Sequence, residues 1–84
     1  MAVENVEAYC NLANAVVELA ASDYRSYRKK VNRDWDTMED YEKKVYTSKI
    51  AELEKFFVSP YGMFLSRGLG DVILEKLQKE FEEE

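Results

Sequence analysis

The stretch FFVSPYGMFL, at residues 56–65, decides the fold of this chain. It contains two adjacent phenylalanines and Pro60, which is the only proline of the sequence. The residue before a proline avoids helical backbone angles, whereas proline itself suits the first position of a new helix. We therefore predict that one helix ends before Ser59, that Ser59 caps a short second helix, and that the chain turns a corner here.

On both sides of this corner, apolar residues recur at steps of three and four, which is the period of a helix with one buried face. The pattern predicts helices at about residues 3–32, 37–58, 60–66 and 71–82 of one 84-residue domain. The predicted fold is all-α: a long antiparallel helical hairpin with a short corner helix and a final helix packed across it. The predicted core consists of Val16, Ala20, Tyr24, Val45, Ile50, Leu53, Phe57, Leu65, Ile73 and Leu77. Leu69, Val72 and Phe81 are also expected to face inward.

Several residue types allow two interpretations each. Cys10 lies on the apolar stripe of the first helix, which also includes Val6 and Tyr9, and a free cysteine is commonly a small core residue. The six tyrosines either fill the core with their hydroxyl groups at its rim or line an interface, where tyrosine is enriched. Trp35 is expected to be a lid over the end of the core, and the alternative is a partner hot spot.

The connection between the first two predicted helices is rich in acids. Asp36, followed by Glu39 at the third position, is typical of a helix N-terminus, and Thr37 is an alternative cap. An acidic surface with an aromatic side chain in its midst suits a basic protein partner. The candidate partner-binding residues are Asp34, Trp35, Asp36, Glu39, Asp40 and Glu42.

A basic cluster precedes these acids, at the C-terminal end of the first predicted helix. It consists of Arg25, Arg28, Lys29, Lys30 and Arg33. Bases at this end of a helix complement the helix dipole, and we favour that interpretation. The alternatives are an anion site and a nucleic-acid-binding surface.

The composition excludes several classes of function. A net charge of -5 argues against general nucleic-acid binding, which needs a basic surface. Without histidine and with one cysteine, the chain lacks the residues for Ser-His or Cys-His catalysis and for an ordinary structural zinc site. Its three glycines lack the spacing of phosphate-binding loops. We therefore predict no enzyme, no metal and no cofactor. We also predict no membrane span and no signal peptide, hence a cytoplasmic protein.

Several short segments match the pattern of a group of small proteins. These segments are Ala15-Val16-Val17-Glu18, Asp23-Tyr24-Arg25, Glu52-Leu53-Glu54-Lys55-Phe56-Phe57, Ser59, Tyr61, Leu65-Ser66, and Gly70 with Ile73-Leu74-Glu75-Lys76-Leu77. In them the chain resembles small helical proteins of unknown function encoded in phages and prophages of Gram-positive bacteria. It departs from that pattern at Pro60, Gly62 and Leu69, where an acid, an aromatic residue and an acid are more usual. The resemblance implies a compact helical fold and the cytosol of a bacterial host, but no activity.

Two functional hypotheses follow. The first is a phage-encoded, anti-CRISPR-like inhibitor that binds a host defence nuclease, such as a Cas effector, by protein contact with its acidic surface. Small size, acidity, the lack of catalytic residues and the phage resemblance motivate it. The alternative is a structural or replication-accessory phage protein that acts as a homodimer through the small and tyrosine-rich stripe of the first helix. Neither hypothesis involves direct contact with nucleic acid or a membrane.

Overall fold

The computed structural model describes the backbone of residues 2–82 and the side chains of residues 12–82. Helix α1 is Ala2–Asp34, α2 is Asp40–Val58, α3 is Pro60–Leu65 and α4 is Gly70–Glu82, and a 3-10 turn, Trp35–Thr37, joins α1 to α2. The described part of the chain contains no strand, so the all-α prediction is confirmed. The expectation that Val6, Tyr9 and Cys10 lie on a buried stripe falls outside the described side chains.

The core lies where α4 crosses the hairpin formed by α1 and α2. Tyr24 of α1 and Phe57 of α2 are completely buried at its centre. Phe81 of α4 meets Tyr24 edge to face, with ring centroids 6.4 Å apart. Ala20, Ile50, Leu74 and Leu77 complete this cluster. Because all three long helices contribute to it, α4 stabilises the hairpin by covering apolar surface that two helices alone would expose.

The corner forms as its sequence predicts. Ser59 is the N-cap of α3, and its hydroxyl oxygen accepts a hydrogen bond from the Gly62 N–H at 3.0 Å. Pro60 occupies the first turn of α3, where its missing N–H costs no hydrogen bond. Gly62 lies against the backbone of α2, and a Cβ atom there would collide with the Phe56 carbonyl. The glycine therefore lets α3 fold back tightly on the end of α2.

The predicted start of α2 is wrong. Asp36 does not cap it, because the chain makes a 3-10 turn first and α2 begins only at Asp40. The conformation of Met38 explains why α2 begins later in the chain than predicted. Its side chain is buried, its backbone is extended, and its N–H donates to the carbonyls of Asp34 and Trp35 at 3.0 and 3.4 Å. The N-cap is Glu39, whose side chain makes no capping hydrogen bond.

Three residues expected to face inward are exposed instead: Val45, Leu69 and Val72. In α4 the inward face follows Leu74, Leu77 and Phe81, so Val72 turns toward solvent, and Leu69 precedes the helix. In α2 the inward face follows Ile50 and Phe57, seven residues apart, and Val45 lies off that line. Val16, Leu53 and Ile73 are half-buried, whereas Ala20, Tyr24, Ile50, Phe57, Leu65 and Leu77 are buried as predicted.

Candidate functional site

The six residues predicted to bind a partner all lie at the end of the hairpin where α1 passes into α2. Trp35 is 40% exposed, so more than half of its surface is covered, and Met38, three residues later, is buried. The Lys43 ammonium lies over the Trp35 ring, 4.8 Å from its centroid, which restrains the ring by a cation–π contact. Asp36, Glu39 and Asp40 are exposed beside it. We name Trp35, Asp36, Glu39 and Asp40 the acidic end.

Asp34 differs from these acids because its carboxylate is paired with cations of the same chain. Its carboxylate accepts hydrogen bonds from the Lys30 ammonium at 2.8 Å and from the Arg33 guanidinium at 3.0 and 3.2 Å. These hydrogen bonds, first that from Arg33 and then that from Lys30, lower the pKa of Asp34 to about 2. Asp34 therefore holds the last turn of α1 together, and a partner would have to compete with two cations for it.

The acids of the acidic end have no such partner. None of the ion pairs among side chains 12–82 involves Asp36, Glu39 or Asp40. Glu42, the sixth predicted residue, is half-buried in the first turn of α2. Three carboxylates at this end of the hairpin thus face solvent without an ion pair, and the nearby Lys43 ammonium lies over the Trp35 ring instead.

The basic cluster of α1 is distributed over contacts within the chain. Arg25 pairs with Glu80 of α4 at 3.0 Å, and Lys30 and Arg33 pair with Asp34. The Arg28 guanidinium lies over the rings of Tyr24 and Phe81, at 5.7 and 5.2 Å from their centroids. Its remaining member, Lys29, is exposed. The cations of the basic cluster therefore contact different groups and do not converge on a single anion-binding site.

A polar network that the sequence did not predict ties α1, α2 and α4 together. The Tyr24 hydroxyl donates to Glu54 at 2.9 Å and accepts from Arg28 at 3.1 Å. Gln78 also donates to Glu54, at 3.3 Å. Burial raises the pKa of Tyr24 to about 12, and the hydrogen bond to Glu54 adds to the effect. The sequence pattern predicted Glu54 on the wet face of α2, but Glu54 follows Ile50 by four residues and precedes Phe57 by three, so it lies on the inward side of the helix.

An open groove runs between α1 and α2 on another side of the molecule. It encloses about 330 Å³, and its apolar lining includes Leu19, Leu53 and Phe56. Asp23, Lys49 and Glu52 contribute charged groups, and Lys49 lies over the Tyr27 ring at 5.6 Å from its centroid. The sequence offered one signal for this surface: Leu19 falls outside the predicted buried stripe of α1.

The described residues contain neither a cluster of metal ligands nor a helix able to span a membrane. No three histidine, cysteine or carboxylate side chains from residues 12–82 converge to hold a metal ion. None of the helices between residues 2 and 82 combines the length and the apolar character that crossing a membrane requires.

Comparison with protein-family models, with curated proteins and with solved structures finds no match to this chain. Its function must therefore be inferred from its own surface chemistry.

Proposed function

We propose that this chain acts by binding another protein, and that the acidic end is the surface that engages a basic partner. One observation carries the proposal: Asp36, Glu39 and Asp40 are exposed beside Trp35 and pair with no cation among the described side chains. Unpaired carboxylates attract a basic surface over a distance and favour association with it. Tryptophan is among the residues that contribute most to binding energy at protein interfaces.

The partner that suits such a surface best is a protein that normally binds nucleic acid. The nucleic-acid channel of such a protein is lined by lysine and arginine side chains that bind phosphate groups. Three carboxylates close together in the chain offer similar charge, and the exposed part of the Trp35 indole, on which Lys43 also lies, adds aromatic surface for contact. The chain would then inhibit its partner by occupying the channel. With the phage resemblance, this leads to the more specific proposal of a phage-encoded, anti-CRISPR-like inhibitor of a host defence nuclease in the bacterial cytosol.

A pull-down from the lysate of a Gram-positive host tests this proposal. The tagged chain is compared with the variant Asp36→Asn/Glu39→Gln/Asp40→Asn, in lysate treated or not treated with nuclease. Removal of three acids changes the net charge from -5 to -2. The matched control, Glu18→Gln/Glu75→Gln/Glu82→Gln, changes it equally but removes exposed acids elsewhere on α1 and α4.

We expect the wild-type chain and the control to recover a nuclease, and the variant of the acidic end to lose it. Recovery should rise when nucleic acid is removed, because nucleic acid competes for the same channel. Equal recovery by all three baits, or recovery that requires intact nucleic acid, would contradict the proposed role of the acidic end.

A further inference from the structure

Helix α1 has a second apolar face, which lies outside the core. Leu12 is 65% exposed and Leu19 is 62% exposed, and their spacing of seven residues places them on one side of the helix. Ala15, Ser22 and Ser26 are exposed on the same side. Together these five positions follow the alternating steps of three and four that mark the contact seam of paired helices. We name them the α1 seam.

The α1 seam continues into the groove between α1 and α2. Leu19 belongs to both, because it also lines the groove beside Val16 and opposite Leu53 and Phe56 of α2. The α1 seam forms a ridge beside this groove. Helices pack on each other by fitting the ridges of one into the grooves of the other. The apolar surface is thus larger than the two leucines alone.

The molecule also exposes more surface than a compact monomer of its mass. Its accessible surface is 6196 Å², whereas about 5,200 Å² is typical of a monomer of 9.8 kDa. Its radius of gyration is 15.1 Å, against about 12 Å for a compact domain of 84 residues.

We propose that a second copy of this chain covers the α1 seam, with the two α1 helices antiparallel. The charge order along α1 supports this occupant and this direction. Every charged residue from 2 to 23 is an acid, and every charged residue from 25 to 33 is a base. Antiparallel pairing places the acidic half of each helix beside the basic half of the other, whereas parallel pairing would place like charges together. Lys29 is the member of the basic half that is exposed and forms no ion pair among side chains 12–82. Because the two copies are related by a two-fold axis, the contact between the acidic half of the first copy and the basic half of the second occurs a second time with the copies exchanged.

The sizes of the seam residues fix the register. In antiparallel pairs, a large side chain from one helix fits beside a small one from the other. Setting Leu19 opposite Ala15 of the second copy also sets Leu12 opposite Ser22 of the second copy. In this register the two α1 helices overlap along nearly their whole length, about 50 Å for 33 residues. The two acidic ends then lie at opposite ends of the dimer, free to bind.

The α1 seam shares only part of the small and tyrosine-rich stripe expected from the sequence. Ala13, Ala20 and Tyr24 of that stripe are buried within the chain, whereas Ala15 is exposed and belongs to the α1 seam. Self-association through α1 would therefore use the exposed side that carries Ala15.

Sedimentation equilibrium of the full chain, from about 1 µM to about 1 mM, tests self-association. We expect a dimer to form with rising concentration, and Leu19→Lys to remain monomeric with unchanged helicity by circular dichroism. Leu69→Lys is the matched control, because Leu69 is 54% exposed and does not belong to the α1 seam, so the dimer should stay intact. A monomeric wild type at about 1 mM, or equal effects of both substitutions, would overturn the proposal.

Disulfide trapping tests whether the two α1 helices are antiparallel and which residues lie opposite each other. It does not require the Leu19→Lys variant to fold. In a Cys10→Ser background, one preparation carries Ala15→Cys and another carries Leu19→Cys. We expect mixed samples to form covalent dimers and each preparation alone to form few, because only the mixed pair brings Cα atoms within about 7 Å. Rapid cross-linking of each preparation alone would indicate parallel helices, and no cross-linking in the mixture would exclude this register. Neither test involves a partner protein, so each can fail while the proposed function stands.

Discussion

At the scale of single residues, Tyr24 connects the apolar core to the polar network. Its ring is completely buried against Phe81, and its hydroxyl group joins Arg28 of the same helix to Glu54 of α2. The sequence placed Tyr24 in the core correctly, because it lies on the apolar stripe of α1. It could not reveal Glu54 as its partner, since the two residues are 30 positions apart and meet only in the folded chain.

We expect Tyr24→Phe to lower the free energy of unfolding by about 1–2 kcal/mol at neutral pH, because Glu54 loses a hydrogen-bond donor in a half-buried place. The substitution should also flatten the dependence of stability on alkaline pH. The raised pKa of Tyr24, about 12, favours the neutral hydroxyl in the folded chain. Its contribution is fully present below pH 10, the usual pKa of tyrosine, and is lost as the pH rises toward 12.

Urea denaturation between pH 7 and pH 12 measures both effects. Tyr41→Phe is the control, since Tyr41 is exposed and its loss should change stability by less than about 0.5 kcal/mol. If the Tyr24→Phe protein were as stable as the wild type at pH 7 and lost stability equally at alkaline pH, the polar network would contribute nothing to the free energy of unfolding.

Asp34 should give the opposite dependence on pH. Its pKa is lowered to about 2 by hydrogen bonds from Arg33 and Lys30. A lowered pKa means that its contribution to stability is present above about pH 4 and is lost as the pH falls toward 2. We expect Asp34→Asn to reduce the acid sensitivity of unfolding, and Asp36→Asn, which removes an unpaired acid, to leave it unchanged. Urea denaturation from pH 6 to pH 2 would distinguish them, and equal behaviour of both variants would refute the assignment.

At the scale of helices, local sequence signals predicted the corner well and the start of α2 poorly. Ser59 and Pro60 act through bonds and angles within one turn, so their effect can be read without knowing the rest of the chain. Met38 acts through the core. Its burial holds the chain in a 3-10 turn past Asp36 and Thr37, although both are residues that commonly begin a helix.

Gly62 tests how tightly the corner is packed. We expect Gly62→Ala to lower the free energy of unfolding by about 1–3 kcal/mol, because the added methyl group would collide with the Phe56 carbonyl and push α3 away from α2. This outcome reverses the usual preference for alanine over glycine within a helix. Ser48→Ala, on the exposed face of α2, is the control and should change stability little. A Gly62→Ala protein more stable than the wild type would show that the corner has room for a side chain.

At the scale of the whole molecule, the sequence predicted the all-α fold because the helical period is strong in every segment. It also predicted where the acids cluster. It could not separate Asp34 from Asp36, because which acid meets Lys30 and Arg33 depends on distances in the folded chain. The groove between α1 and α2 was missed for a related reason. Its lining comes from two helices, and only Leu19, which lies outside the predicted buried stripe of α1, marked it in the sequence.

The measurement that tests the central claim most directly is the affinity of the partner protein recovered by the pull-down, freed of nucleic acid, for the immobilised chain. Binding is compared for the wild type, for Asp36→Asn/Glu39→Gln/Asp40→Asn and for the charge-matched control Glu18→Gln/Glu75→Gln/Glu82→Gln, at low and at moderate salt. We predict that the control binds like the wild type, and that the variant of the acidic end binds at least about tenfold more weakly and with less dependence on salt. Equal affinity of all three proteins at both salt concentrations would contradict the account.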